Sequence, residues 1–77
     1  MGAKLTPVDA SRLIRFFEHY GFSQRRQKGS HVSMVKAGVA RPLIIPTPGE
    51  VTVGVIMSNL RTAGLTRDEL LGWLTTH

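Results

Sequence analysis

The feature that most narrows the folds open to this chain is a change of hydrophobic period at Gly21. Before it, Ala10, Leu13, Ile14 and Phe17 recur at i, i+3, i+4 and i+7, the spacing that lines one face of a helix. Thr6 is placed to cap that helix, Pro7 suits its first position and Asp9 suits the positive end of its dipole. After Gly21, Phe22 to Gln27 and His31 to Lys36 run as short segments around Lys28-Gly29-Ser30, a loop of the kind that closes a hairpin. Arg41 to Ile45 follows the Ala37-Gly38-Val39-Ala40 turn as a third, more apolar strand. Pro46, Pro48 and Gly49 end the sheet, since two prolines so close cannot continue a ladder. The helical period then returns: Val55, Ile56, Asn59, Leu60 and Ala63 predict a helix over 53–63 that stops at Gly64. Thr66-Arg67-Asp68-Glu69 is a capping box ahead of Leu70, Leu71, Trp73 and Leu74. The expectation is an α+β fold, α-β-β-β-α, with a three-stranded antiparallel meander and a short extra C-terminal helix. If Val32 and Met34 face the core, His31 and Ser33 face the other way; with Val35 inward, the His31 face is buried instead.

The chain has 77 residues and no cysteine, so disulfides, thiolate catalysis and thiolate zinc sites drop out together. One domain over residues 1–77 is expected. It should be marginally stable, because ordering costs nearly cancel the burial gain at this size. No uninterrupted apolar run exceeds the three residues of Leu43-Ile44-Ile45, far below the roughly 20 residues of a membrane span. That points to a cytoplasmic protein with no membrane partner. Met1-Gly2-Ala3-Lys4-Leu5-Thr6 fits the loose myristoylation pattern, but Pro7 reads better as helix chemistry.

Ten Lys and Arg against five Asp and Glu leave a net charge of +5. The distribution says more than the sum. From His19 to Gly49 there is no acidic residue, while Arg25, Arg26, Lys28, Lys36 and Arg41 fall inside that window. An unopposed basic surface favours polyanions as partners. The plainer reading is a solvated face that keeps the protein soluble.

Within that window, Gln27-Lys28-Gly29-Ser30-His31 places a histidine at the start of a strand, directly after a glycine-containing loop and beside Arg25, Arg26 and Lys28. Glycine lets a backbone approach a ligand closely. The amides of Gly29 and Ser30 and the three cations can hold a phosphate, and imidazole exchanges protons near neutral pH. Phosphate plus base is a ribonuclease-like pairing. In RNA the nucleophile belongs to the substrate, because removing the 2′-OH proton lets that oxygen attack the adjacent phosphorus; the protein needs only a base and stabilising cations. No cofactor and no metal is required, and His19, His31 and His77 stand far apart in the sequence without carboxylates at ligand spacing. A helix-turn-helix DNA binder drawn from Leu60 to Thr66 would carry Asp68 and Glu69 where phosphates lie, which opposes it. A non-catalytic RNA-binding module of the same strand order is the closer alternative.

Gly21-Phe22, then Arg26-Gln27-Lys28-Gly29-Ser30-His31, an apolar strand ending at Ile45-Pro46, and Leu60 with Ala63-Gly64-Leu65 and Glu69 together resemble the HicA family of bacterial toxin RNases. The resemblance runs from about Leu13 to Leu74. It implies a fold like that of double-stranded-RNA-binding domains, cleavage of single-stranded mRNA with His31 as the catalytic histidine, and neutralisation by a HicB-type antitoxin. Two places depart from the family pattern. Members often carry a histidine soon after the strand-ending proline, where this chain has Thr47-Pro48. The segment before the second helix often contains lysine and proline, where this chain has Thr52-Val53. If those positions assist catalysis or docking, activity here is weaker or differently targeted.

Overall fold

The computed structural model describes residues 4–77, so Met1 to Ala3 of the myristoylation-like hexapeptide lie outside the described residues. The elements follow as β1 (Val8–Asp9), α1 (Ala10–His19), β2 (Ser23–Lys28), β3 (His31–Val35), β4 (Leu43–Pro46), β5 (Glu50–Val51), α2 (Val53–Ala63) and α3 (Arg67–Thr76). The architecture is α+β. The main sheet runs in the order β2-β3-β4, all antiparallel, and β1 pairs separately with β5.

The start of α1 differs from the sequence expectation. Asp9, not Thr6, caps the helix by accepting from Ser11 N at 3.0 Å and from the Ser11 hydroxyl. Thr6 and Pro7 lie before it in irregular chain. The reason is tertiary: Leu5 and Val8 are buried, and Val8 meets Val51 across the short ladder, which draws this segment into extended backbone. At the other end of α1, Gly21 takes φ +95° and Phe22 folds back onto Phe17, with ring centroids 5.7 Å apart.

One face of the main sheet makes the core. Val32, Met34, Leu43 and Ile45 are buried there with Leu13, Phe16 and Phe17 of α1 and Ile56 and Leu60 of α2. β3 therefore takes the register with Val32 and Met34 inward, and the opposite sheet face is left to solvent. The C-terminal helix is not short: α3 is as long as α1 at 10 residues, opens with the Thr66–Glu69 capping box, and sets Trp73 edge-on against Phe16 at 5.8 Å. The Arg12 guanidinium donates to the carbonyls of Leu74 and His77, placing a cation where the dipole of α3 is negative.

The two edges of the main sheet are treated differently. β4 is closed by Asn59, the one buried polar residue among those described. Its side-chain carbonyl accepts from Ile44 N at 3.1 Å, and its amide donates to Ile44 O at 3.0 Å and to Val55 O at 3.2 Å. β2, at the other edge, has all six residues exposed.

Candidate nucleic-acid interface

β2 and β3 meet in a hairpin whose register decides which side chains share a face. Lys28 pairs with His31, and the turn between them is the two residues Gly29 and Ser30. Gly29 takes φ +58° and Ser30 does not have a positive φ, the pattern a type II′ turn asks for and one only glycine adopts freely at the first position. The expected three-residue loop is thus one residue shorter, with Lys28 drawn into the ladder as a strand residue. Both turn residues are exposed at the tip.

Directly opposed residues on an antiparallel ladder project to the same side. Val32 is buried and pairs with Gln27 and Ile45, so Gln27 lies on the core side. His31 pairs with Lys28 and Pro46, and Ser33 pairs with Arg26 and Ile44. His31, Lys28, Arg26 and Ser33 therefore stand on the solvent face, with His31 exposed. Between Gln24 and Arg26 the register slips by a bulge at Arg25. A bulge puts two residues opposite one and re-aims the extra side chain. Here it brings Arg25 beside Arg26, and both guanidinium-bearing residues border a 250 Å³ depression with Ser33. Ser33 is two positions from His31 along β3, about 7 Å at the rise of a strand.

The sequence-expected residues thus fall into one region: His31 and Lys28 at the hairpin end, Arg25 and Arg26 beside the depression, Gly29 and Ser30 at the turn. Among the described residues no side chain hydrogen-bonds the His31 ring, so it is free to meet a ligand. The turn is braced from the side by Thr47, whose amide donates to Ser30 O at 2.7 Å. Thr47 and Pro48, the positions that depart from the family pattern, accordingly sit next to the hairpin tip. Thr52 and Val53 lie elsewhere, at the start of α2, where Thr52 makes no side-chain cap. The sequence sets Ser33 on the His31 face by alternation but gives no sign that it borders the depression with Arg25 and Arg26. The bulge at Arg25 left no signal, because a strand reading Ser-Gln-Arg-Arg-Gln-Lys has no apolar alternation to interrupt.

Two histidines that stand far apart in the sequence do come together: His19 and His77 have ring centroids 5.9 Å apart, because the C-terminal end of α3 packs against side chains of α1. His77 stacks on Trp73 at 4.6 Å. Among the described residues no three His, Asp or Glu side chains are grouped to hold a metal ion. Nor is any described helix long and apolar enough to cross a membrane.

A sequence profile of the HicA toxin of bacterial toxin–antitoxin systems matches residues 10–65. A chain of a toxin–antitoxin complex from Streptococcus pneumoniae shares the fold with a TM-score of 0.67 and 30% sequence identity, over 77% of this chain and 100% of that one. No curated protein matches this chain by sequence.

Proposed function

The chain belongs to the HicA toxin family, and on that premise we propose that it is a toxin endoribonuclease that cleaves single-stranded mRNA without a metal, using His31 as general base. The observation that carries this reading is the shared solvent face on which the hairpin register and the Arg25 bulge gather His31, Lys28, Arg25 and Arg26. The guanidinium groups and the Lys28 ammonium hold the phosphodiester and stabilise the negative charge that builds on its oxygens. His31 takes the proton from the 2′-OH, and the 2′-oxygen attacks the adjacent phosphorus. The bond to the 5′-oxygen breaks, and that oxygen leaves with a proton from Lys28 or solvent. The products are a 2′,3′-cyclic phosphate and a 5′-hydroxyl.

A HicB-type antitoxin completes the reading. It holds the enzyme inactive by covering His31 and Lys28 and by presenting carboxylates to the basic strand, excluding RNA by both bulk and charge. The similarity to a chain of a toxin–antitoxin complex supports such a partner. The nuclease is tested by incubating purified protein with RNA in EDTA beside a His31→Ala control. Cleavage to cyclic-phosphate ends is expected for the parent, with its loss and an unchanged melting temperature for the variant, because the side chain is exposed. Loss of cleavage in EDTA, or full activity without His31, overturns the assignment. RNA bound but uncut by the parent would favour the non-catalytic RNA-binding module.

A further inference from the structure

On the core side of the β2 edge, opposite the basic face, lies a cleft of 380 Å³ between the start of α1, the β2–β3 hairpin and the Thr47–Gly49 loop. Ile14, Val32 and Pro48 give it apolar walls, while Asp9, Gln27 and Thr47 supply polar groups. We propose that this cleft is a nucleobase subsite that takes a base bearing an exocyclic amino group, guanine, adenine or cytosine, in preference to uracil.

The chemistry follows from what occupies the cleft already. The N-terminus of a helix ordinarily attracts anions, but here the Asp9 carboxylate fills that position, bonded to the Ser11 amide and hydroxyl. Those bonds also hold its carboxyl below the ordinary carboxylate range, so the charge persists at neutral pH. A phosphate is therefore repelled from the cleft and drawn to the cations on the far side of the strand. A carboxylate accepts hydrogen bonds and donates none, so the favoured ligand presents an amino group; the single edge N–H of uracil is flanked by two carbonyl oxygens that the carboxylate repels. A flat ring with an amino edge meets both demands, stacking between apolar walls while its amino group reaches the carboxylate. Gln27 adds the second polar group. Among the described residues its amide has no protein partner, whereas the neighbouring Gln24 amide is engaged by Glu18. A side-chain amide pairs with a base edge through one donor and one acceptor.

The position suits a chain that wraps the edge strand. Gln27 and Val32 line the cleft and are the immediate neighbours of Lys28 and His31, which face the other way. A nucleotide astride β2 would thus set its phosphate among the cations and its base beneath the strand. The subsite deepens the nuclease reading above by naming what selects the substrate. It is separable from it, because it makes its own claim on base identity without cleavage.

The test is a set of amide NMR titrations with the 3′-monophosphates of guanosine, adenosine, cytidine and uridine, which the enzyme cannot cut further. The Ser11, Gln27, Val32 and Gly49 signals should shift with the three amino-bearing nucleotides at concentrations about tenfold below those needed for uridine 3′-monophosphate. Gln27→Ala should weaken the former about tenfold and leave the latter unchanged. Asp9→Asn, which keeps a good helix cap, should erase the preference. Equal affinity for all four, shifts confined to Arg25, Arg26 and Ser33, or no shift of the cleft signals overturns the subsite. Base preference that persists in a protein found not to cleave RNA would overturn the nuclease and leave the subsite standing.

Discussion

With its amide donating to Ile44 O and its carbonyl accepting from Ile44 N, Asn59 occupies the place a fourth strand would take beside β4. Replacing it by alanine strips the partner from two backbone groups, each costing roughly 1–3 kcal/mol when left unpaired away from water. Asn59→Ala should therefore lose about 2–3 kcal/mol in urea unfolding and 10 °C or more in melting temperature. A loss below about 0.5 kcal/mol would mean that packing alone closes this edge. In the sequence Asn59 entered only as a member of a helical stripe, because a side chain bonded to a distant backbone leaves no trace in periodicity. His31 was easier to read. Alternation from Val32 and Met34 sends it outward, and the Lys-Gly-Ser before it marks the turn. Asp9 was read for its charge, but its role as the cap depends on Val8 pairing with Val51, a contact between segments far apart in the chain.

The elements were legible in proportion to their apolar content. The span of α2 agrees with the 53–63 read from its stripe, and the capping box of α3 stands as its four residues imply. β1 and β5, two residues each, are too short for any period to register. β2 could be placed only through its neighbours, since it buries nothing. Its six residues hold three of the cations in the acid-free window, and RNA affinity should depend on them through released counterions. For single strands log K falls with log salt at a slope of about 0.7 per phosphate contacted. Charge reversal at Arg25 and Arg26 should lower that slope by about 1.4 if each contacts one phosphate. An unchanged affinity and slope in filter-binding measurements would reduce the basic face to a solvated surface.

Taken as a whole, the molecule keeps its apolar interior on one side of a three-stranded sheet and sets exposed His31, Lys28 and Arg26 on the other. An antitoxin that covers His31 and Lys28 recognises the folded form alone, so it should raise the melting temperature with concentration. The expected gain is about 2.7 kcal/mol at one hundred times its Kd, read by thermal unfolding of mixtures. Tight binding with undiminished RNA cleavage in the complex would show that the partner sits elsewhere. The contrast between the two sheet edges has a dynamic side. β4 is pinned between β3 and α2, whereas β2 is held, among the described residues, by its bulged ladder to β3 and a single side-chain bond from Gln24 to Glu18 of α1. A strand that buries none of its six residues should open and reclose more often than β3 and β4. A ligand gripping it on both sides would quiet that motion, so on the proposed reading β2 becomes fully ordered only once RNA or the inhibiting partner is bound.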